Sequence, residues 1–461
     1  MTESATMAFV KRTAINVPQK ALHDWHMRPG AFERLTPPWA GMRMIEGPPA
    51  IEHGARARLA LEFGPLSLHW HSRYEVEPGE FRDIQERGPM KRWIHAHRFL
   101  EAPGGGAILE DAIDYELPLG ALGRLLAGTR VARRLERLFS YRHEVTRADL
   151  ERHAATAGQP PLRIALSGAT GLVGSALACF LTTGGHTVRA LVRRAPRAGS
   201  NEIRFDPASG TLDAQALANC DAVVHLAGES IASGRWTDAK KERIRSSRVE
   251  GTRLLAEALS RLATPPHVLV CASAIGFYGD RAEETLDEAS APGTGFLSDT
   301  CRAWEEASTS AERAGIRVVR LRIGVVLAAG GGALARMVTP FSLGLGGRVG
   351  HGGQWMSWIA LDDLIGAIHF ALLENESHGP VNAVAPEPTR NAQFSTTLAR
   401  VLHRPALLPL PAPVVQAALG EMGRELLLGS TRVTPNKLQA AGFRFRHPSL
   451  EAALRFELGR D

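Results

Sequence analysis

The 461-residue sequence predicts an α/β domain built on a doubly wound parallel sheet, with a separate α+β domain in front of it. Three observations carry this prediction. After residue 162, short apolar segments alternate with helical ones, and a glycine-rich turn follows the first of them. Before residue 151, polar and apolar side chains alternate instead. Near-continuous apolar strands between helices indicate a parallel sheet covered on both faces, whereas period-two strands suit an antiparallel sheet with one covered face.

The chain divides most clearly at residues 152–161, which read RHAATAGQPP. This stretch is small, polar and proline-ended, and it has no periodicity, so we predict a linker there. At about 150 residues per domain, the length leaves room for roughly three domains. We predict these parts: a front domain over 1–151, the linker over 152–161, a parallel-sheet domain over 162–406 and a small helical cap over 407–461.

Composition narrows the class of protein. Apolar residues make up 44% and charged residues 22%, as in a globular chain. The net charge of +6 comes from arginines that are spread along the chain, so we expect no nucleic-acid partner. No apolar run approaches the roughly 18 residues of a membrane helix, and the start of the chain lacks a signal-peptide core. We therefore expect a cytoplasmic protein with reduced cysteines and no membrane partner, whose oligomeric state stays open.

The front domain begins with strands and ends in a helix. The alternating segments are 66–76, 92–100 and 107–117. Between residues 119 and 150 the period becomes helical, with Leu135 and Phe139 on one side and charged side chains opposite. Antiparallel strands followed by one long closing helix predict an α+β domain.

The second domain contains at least five apolar strands. They are LRIALS at 162–167, HTVRALV at 186–192, DAVVHLAG at 221–228, HVLVCASA at 267–274 and RVVRLRIGVVL at 317–327. Helical stretches separate them, which predicts successive parallel strands with helical crossovers. From about residue 407 the chain changes to short helical segments with prolines, and we interpret these as a cap on the same domain.

A glycine-rich turn links the first parallel strand to the first helix. The spacing of its glycines lets the chain turn tightly, lets backbone N–H groups approach a pyrophosphate, and lets helix and strand pack closely. The N-terminus of the helix adds partial positive charge. Because the turn stands between a strand and a helix, we predict a dinucleotide site. Its residues are Gly168, Ala169, Thr170, Gly171, Leu172, Val173 and Gly174.

The end of the second strand indicates which dinucleotide is bound. An NAD site usually has a carboxylate there for the ribose 2′-hydroxyl, but this chain has Arg193 and Arg194. Two guanidinium groups can instead bind a 2′-phosphate through charge-assisted hydrogen bonds. We therefore predict NADP as the cofactor, with NAD less favoured.

From Ile164 to Leu458 the sequence resembles the extended short-chain dehydrogenase/reductase superfamily. Within it, the chain is similar to the family often labelled nucleoside-diphosphate-sugar epimerase. The matching segments are 167–174, 225–237, 246–252, 271–280, 296–305, 343–363 and 379–388, and the tail after 407 resembles the small domain of unknown function that ends this family. The resemblance implies a Rossmann-like sheet with a substrate-side cap. It also implies that Leu226, Ala227 and Gly228 approach the nicotinamide ribose.

The first 150 residues resemble the START-like, polyketide-cyclase superfamily. The resemblance rests on PPW at 37–39, on 81–99 and on the long terminal helix. It implies a helix-grip fold, in which a curved sheet wraps a helix around a cavity for an apolar ligand.

The superfamily's usual chemistry uses a serine together with a tyrosine and a lysine four residues apart. No tyrosine of this chain has lysine four residues later. Alignment on Trp304 puts Leu297 at the tyrosine position and Cys301 at the lysine position. The serine position is kept as Ser273, and Tyr278 is the one tyrosine of this domain. We take these two residues as the candidate catalytic groups.

Two histidine pairs in the front domain are candidate metal ligands. His69 and His71 share one strand face, and His95 and His97 share another. The first pair lies opposite the apolar set, and the second shares its face with Trp93 and so suits a cavity wall. We therefore expect no metal site.

Three functions remain open from the sequence. The first is an NADP-dependent oxidoreductase or epimerase with altered acid–base groups, acting on a small molecule, which the intact loop through 343–358 favours. The second is an NADP-binding regulator or sensor without efficient turnover, which the missing tyrosine–lysine pair favours. In the third, the front domain is a carrier that delivers an apolar ligand to the second domain.

Overall fold

A computed structural model describes residues 6–64 and 66–460. By its internal contacts the chain divides into two compact units. The front unit comprises the chain up to Pro160 together with Cys179–Gly185, and the second unit comprises the remainder. The helix that closes the front unit runs to Ala154, so its last three residues lie in the stretch that the sequence suggested as linker.

The front unit contains one antiparallel sheet of seven strands, in the order β1-β7-β6-β5-β4-β3-β2. Its strands are β1 Met7–Ile15, β2 Met42–Glu46, β3 Arg56–Phe63, β4 Leu66–Glu77, β5 Glu80–Arg87, β6 Arg92–Glu101 and β7 Ala107–Glu116. Its helices are α1 Gln19–Met27, α2 Ala31–Leu35 and the 35-residue α3 Gly120–Ala154, with a 3₁₀ turn at Pro38–Ala40. As the helical period predicts, Leu135 and Phe139 of α3 are buried, in a cluster with aromatic side chains of β4, β6 and β7.

One detail of the strand pattern is wrong. The alternation placed Leu66 and Leu68 on the covered face of β4, but these side chains are 67% and 43% exposed, whereas Trp70 on the same face is buried. Alternation identifies a strand and its two faces, but it does not show how far along the strand the covering elements reach.

The second unit is built on an eight-stranded sheet, in the order β11-β10-β9-β8-β12-β13-β15-β19. All neighbours pair in parallel except β10 and β11. The strands are β8 Arg163–Ser167, β9 Thr187–Val192, β10 Glu202–Asp206, β11 Thr211–Leu212, β12 Ala222–His225, β13 Val268–Ala274, β15 Arg317–Ile323 and β19 Gly379–Ala383. This is the doubly wound, Rossmann-like sheet that the sequence predicts.

Helices and short strand pairs complete the second unit. Its helices are α4 Leu172–Thr183, α5 Ala214–Leu217, α6 Asp238–Ser260, α7 Phe296–Glu306, α8 Thr309–Arg313, α9 Gly332–Ser342, α10 Leu361–Leu373, α11 Asn391–Leu402, α12 Ala412–Leu419, α13 Glu421–Gly423, α14 Asn436–Ala440 and α15 Leu450–Leu458, with a 3₁₀ turn at Ile275–Tyr278 and a π turn at Arg424–Leu428. Three two-stranded sheets pair β14 Thr285–Leu286 with β21 Arg432–Val433, β16 Val325–Leu327 with β18 Trp358–Ala360, and β17 Trp355–Met356 with β20 Thr389–Arg390.

The C-terminal segment belongs to the core of this unit. Leu450 and Leu454 of α15 are buried in one cluster with Phe394 and Leu398 of α11. None of the helices in the described ranges combines the length and the apolar character needed to span a bilayer. The four cysteines are free thiols, and Cys179 alone among them is not fully buried.

Strand order places the candidate site. Strand β8 has β9 on one side and β12 on the other, so the direction of winding reverses between β8 and β12. In open α/β sheets, ligands bind at such a reversal, beyond the carboxyl ends of the strands. The glycine turn, which follows β8, lies at this point.

Candidate functional site

The glycine turn is shaped by close backbone contacts. Gly168 has φ = +71°, and an added Cβ atom there would lie 3.1 Å from the backbone nitrogen of Ala227. At Gly174, a Cβ atom would lie 2.1 Å from the carbonyl oxygen of Gly168, where no atom fits. At Gly171, by contrast, the one atom within 4 Å of an added Cβ is that same oxygen, at 3.2 Å. The first and third glycines therefore let the turn form, while the second leaves one side of it open.

The open side of the turn presents the N-terminus of α4. Thr170 and Gly171 are exposed, and the helix begins at the next residue, Leu172. The first N–H groups of a helix have no partners within the helix and carry partial positive charge. An exposed turn of this kind can bind the pyrophosphate of a dinucleotide through its backbone.

A buried serine joins the turn to the neighbouring strand. The Ser167 hydroxyl lies 2.7 Å from Nδ1 of His225 and accepts hydrogen bonds from the backbone N–H groups of Leu226 and Ala227, at 3.0 and 3.2 Å. Because the oxygen accepts from two N–H groups, its own proton is donated to the imidazole. Burial lowers the pKa of His225 to about 4, so this imidazole is neutral and can accept. These hydrogen bonds of Ser167 thus fix the segment 226–228 beside the glycine turn.

The two arginines after β9 differ in their surroundings. Both are exposed. Arg194 forms a two-pronged ion pair with Glu202 at the start of β10, which raises the pKa of the arginine and lowers that of Glu202 to about 2. Arg193 makes no hydrogen bond or ion pair with any described residue. Of the two, Arg193 is therefore the side chain that is free to reach a phosphate.

Ser273, at the end of β13, is tied to a buried ion pair. Its hydroxyl donates to a carboxylate oxygen of Glu305 on α7, at 2.7 Å. The same carboxylate accepts two hydrogen bonds from Arg322 on β15, at 2.8 and 2.9 Å. The Ser273 side chain is buried, so in this arrangement its hydrogen-bonding capacity is directed at the protein.

Tyr278 lies at the other end of this network. Its side chain has no exposed surface, and its hydroxyl accepts from Arg322 at 3.0 Å and faces Asn382 Oδ1 at 2.7 Å and the Asp287 carbonyl at 2.9 Å. Burial raises the pKa of the phenol. A proton donor to a ligand needs an accessible hydroxyl, and this one is enclosed and satisfied. This enclosed geometry does not support the proton-donor role that the sequence suggested for Tyr278.

The positions that would hold the tyrosine–lysine pair lie on α7. Cys301 is buried close to Ser273, and burial raises the pKa of its thiol to about 12. Leu297 is half-buried, and its Cβ atom would be 3.1 Å from a Cβ added at Gly276. The N-terminus of α7 is capped by Glu425, whose carboxylate accepts from the N–H groups of Phe296 and Leu297 at 3.2 and 3.1 Å.

Arg248, which the sequence gave no reason to select, lies between residues 228–229 and helix α7. Arg248 of α6 donates to the carbonyl oxygen of Glu229 at 2.9 Å, and its guanidinium carbon lies 3.2 Å from where a Cβ of Gly228 would be. Its guanidinium also stacks over Trp304 at 5.1 Å. Burial lowers the pKa of Arg248, and the Cys301 thiol interacts with its charge. The position of the missing lysine therefore has an arginine from another helix as its neighbour.

The two histidine pairs on the strands separate largely as their strand faces predict. His95 and His97 are buried, His69 is exposed, and His71 is half-buried. The buried pair lies between Asp83 of β5 and Asp111 of β7, which reasoning from the sequence missed. Asp83 is paired with His95, and Asp111 with His97, on neighbouring strands. Such neighbours can be identified only when the strand register is known.

The chain is similar to proteins of the epimerase class. Residues 164–384 match the model of the NAD dependent epimerase/dehydratase family, and residues 410–457 match a domain of unknown function, DUF1731. Among curated proteins, epimerase family protein Mb2239 of Mycobacterium bovis is 44% identical over 297 residues, which is 64% of this chain and 98% of the relative. The human epimerase family protein SDR39U1 is 39% identical over 297 residues, covering 64% of this chain and 99% of the relative.

Two crystal structures are similar in fold and sequence. The nucleoside-diphosphate sugar epimerase from Corynebacterium glutamicum aligns with a TM-score of 0.80 and 34% identity, covering 98% of this chain and 90% of that one. Human SDR39U1 (isoform 2), solved with NADPH, aligns with a TM-score of 0.58 and 37% identity, covering 64% of this chain and 99% of that one.

Proposed function

This chain belongs to the NAD dependent epimerase/dehydratase family, and from that premise we propose that it is an NADP(H)-binding oxidoreductase or epimerase whose acid–base groups differ from the tyrosine–lysine pair. The observation that carries the proposal is the turn at Gly168, Gly171 and Gly174. Gly174 has no room for a side chain and Gly168 is tightly packed at a positive φ, whereas Gly171 is open toward the N-terminus of α4.

The proposed cofactor contacts follow the edge of the sheet. The backbone of 168–174 binds the pyrophosphate, and the free guanidinium of Arg193 binds the 2′-phosphate, with Arg194 held beside it by Glu202. Leu226, Ala227 and Gly228, which Ser167 fixes in place, lie along the nicotinamide ribose. The NADPH in the crystal structure of the human relative supports this choice of cofactor.

When bound, NADP supplies or accepts a hydride, and the chain must position the substrate and manage the proton. Ser273 is the one candidate from the superfamily's set that is kept, and its hydroxyl can turn from Glu305 to a substrate oxygen. Arg248 adds fixed positive charge beside Gly228. Tyr278, through Arg322, holds Glu305 in place. In this proposal the site orients and polarises a substrate, while its described side chains supply no obvious proton donor of suitable pKa.

A second candidate function is an NADP(H)-binding regulator or sensor with weak turnover. The specific observation in its favour is that the hydroxyls of Ser273 and Tyr278 both bond within the protein, to Glu305 and to Asn382. A sensor needs the dinucleotide site but not an accessible acid–base pair. If NADPH binds but Ser273→Ala and Tyr278→Phe leave the turnover of every accepted substrate unchanged, the sensor becomes the better assignment.

We further propose that residues 1–151 form a START-like, helix-grip domain that binds a small ligand, with a linker at 152–161, the dinucleotide domain at 162–406 and its cap at 407–461. A seven-stranded antiparallel sheet followed by a 35-residue helix supports the first part. The interior is not uniformly apolar, because it contains His95, His97 and Asp111. Four free thiols support a reducing, cytoplasmic setting.

Titration calorimetry with NADPH and NADH tests the cofactor assignment. Charge-assisted contacts are worth roughly 1.5–3 kcal/mol each, so NADPH should bind about 10- to 150-fold more tightly than NADH. Arg193→Ala combined with Arg194→Ala should remove most of that preference and leave the affinity for NADH unchanged. Equal affinity of the wild type for both dinucleotides, or a preference that survives in the double variant, would sink the assignment.

A further inference from the structure

We propose that the front unit holds a divalent transition-metal ion, bound by Asp83, His95 and His97, with at least one coordination position open to an oxygen of a bound molecule. This site is separate from the dinucleotide site and does not depend on the proposed function. It also replaces the expectation from the strand pattern that these histidines only line a cavity.

The sheet brings the three side chains together. Asp83 of β5 stands directly opposite His95 of β6 in the strand register. His97 follows two residues after His95, so it emerges on the same face of the strand. The inward face is confirmed by burial, because Trp93 and Phe99, which share it, are buried as well.

The distances allow the three side chains to converge on a common ion. Nδ1 of His95 lies 2.9 Å from Oδ2 of Asp83, and Nε2 of His97 lies 3.5 Å from the same oxygen. The opposite nitrogen of His95 is hydrogen-bonded to Asp111, so Nδ1 is the nitrogen that faces Asp83. One ligand atom from each of the three residues lies within 4.8 Å of the others. With metal–ligand bonds near 2.0–2.1 Å, ligand atoms in a tetrahedral site are roughly 3.3 Å apart.

The carboxylate of Asp111 contacts the ring nitrogens of His95 and His97 that do not face Asp83, and so orients both rings. Nε2 of His95 is hydrogen-bonded to Asp111 at 2.8 Å, and Nε2 of His143 on α3 is hydrogen-bonded to the other oxygen of Asp111 at 2.7 Å. The far nitrogen of a metal-bound histidine is typically held by a carboxylate in this way. Nδ1 of His97 is also 2.8 Å from Asp111 but is buried without an aligned hydrogen bond. That ring is held by stacking on Phe81, with 4.2 Å between centroids.

The donor set suits a divalent cation. The carboxylates of Asp83 and Asp111 lie on either side of the His95 and His97 imidazoles. Histidine binds a metal as the neutral imidazole, and one divalent ion then balances the negative charges of the two carboxylates. A donor set of two histidines and one carboxylate with an open position is used by zinc and by non-haem iron.

The site has one open side. The side chains of His95 and His97 are almost inaccessible, but that of Asp83 is 20% exposed. Phe81 and Phe139 contact the imidazoles and keep the rest of the surroundings apolar. An ion would therefore enter past Asp83, and its free position would face the same opening. A carboxylate, carbonyl or hydroxyl oxygen of a ligand is the chemistry that this position accepts.

Metal titration of the full-length protein tests the site. The chain is stripped with a chelator and titrated with Zn²⁺ against a chromophoric competitor, and then with Co²⁺ to read its absorption spectrum. We expect one ion per chain, with affinity weakened at least tenfold in Asp83→Asn and in His97→Gln. Asp111→Asn should weaken it about 10- to 100-fold, as other second-layer partners do. His69→Gln, an exposed histidine of the same sheet, is the matched control and should bind as the wild type does.

Three results would overturn the proposal. They are no stoichiometric binding of either ion by the wild type, binding that survives unchanged in both Asp83→Asn and His97→Gln, and a loss of binding in His69→Gln. Should a variant fail to fold, X-ray absorption of the zinc-loaded wild type decides instead. Two imidazole nitrogens among the ligands support the site, and a shell of oxygen alone contradicts it.

Discussion

The glycine turn after β8 and the polar network after β13 lie on the same edge of one sheet, but they are built in opposite ways. The turn is made of backbone, and its second glycine is open to a ligand. The network is made of side chains, and the hydroxyls of Ser273 and Tyr278 bond inside the protein. The dinucleotide end of this edge therefore has the form that binding requires, while the acid–base end is closed on itself.

The difference shows what each kind of chemistry demands of a sequence. A pyrophosphate is bound by backbone N–H groups, which every residue except proline carries, so the proposed site depends on the absence of side chains at Gly168 and Gly174. Acid–base catalysis depends on particular side chains, and Leu297 and Cys301 cannot replace a tyrosine and a lysine. Binding and turnover can thus be altered independently, and four predictions use this independence.

The largest effect is expected for Gly174→Ala. The new Cβ atom would lie 2.1 Å from the Gly168 carbonyl oxygen, so the turn must rearrange. We expect a loss of stability at or beyond the roughly 1–3 kcal/mol usual for overpacking. NADPH affinity should fall at least about 100-fold, the equivalent of roughly 3 kcal/mol. Thermal melts and NADPH titrations measure both. Gly158→Ala, where an added Cβ meets no atom within 4 Å, is the control, and similar behaviour of the two variants would contradict the close packing of the turn.

A smaller effect is expected at the end of β9. Arg193→Ala should reduce the preference for NADPH over NADH by about tenfold or more, because a charge-assisted contact is lost. Arg194→Ala should change it less, since Glu202 already engages that side chain. Arg302→Ala, an exposed arginine on α7 that pairs with Asp299, serves as control. Competition binding with both dinucleotides is the measurement, and a larger effect from Arg194 would reverse our assignment of the two arginines.

Acid should lower the stability of the folded chain through His225, which lies beside the glycine turn. The pKa of this buried imidazole is about 4 in the folded chain and about 6.5 when unfolded. Between these values the unfolded chain binds one more proton, so the stability that His225 contributes is complete above about pH 6.5 and is lost as the pH falls to about 4. The loss is at most about 3 kcal/mol. Carboxylates titrate nearby, so melting temperatures of wild type and His225→Asn are compared across this range. Parallel curves would rule out the effect.

Tyr278→Phe should affect stability but not binding. It removes a buried hydroxyl that bonds to Arg322 and Asn382, which costs about 1–3 kcal/mol of unfolding free energy when the partners are left unsatisfied. NADPH affinity should stay the same. Tyr115→Phe is the matched control, because that buried tyrosine makes no side-chain hydrogen bond with a described residue. A stable variant with tenfold lower kcat for an accepted substrate would instead restore the proton-donor role.

Local sequence predicted those parts of the fold and site that depend on local interactions. The glycine turn, the parallel strands and α3 all follow from periodicity and spacing within one segment. The glycine turn could be placed at the sheet edge because a strand that precedes a helix in this topology must end there.

The parts that could not be predicted depend on pairing between distant segments. Glu305 looks like an ordinary charged helix residue until β15 brings Arg322 to it, and Asp83 becomes a neighbour of His95 only through the register of β5 and β6. The sequence suggested both Arg193 and Arg194 for the 2′-phosphate, because the pairing of Arg194 with Glu202 on the next strand is visible only in the structure. Side-chain pairs of this kind need the tertiary structure, and they decide whether a polar residue is available to a ligand.

The dinucleotide end of this sheet edge should work independently of the acid–base end. Titration of NADPH into three proteins under one condition measures this independence: wild type, Gly171→Ala and Ser273→Ala. Alanine fits sterically at position 171 with a small adjustment, but its methyl group occupies the open side of the turn. We predict at least about tenfold weaker binding for Gly171→Ala and an affinity within about twofold of wild type for Ser273→Ala. Unchanged binding in Gly171→Ala, or an equal loss in Ser273→Ala, would contradict the account.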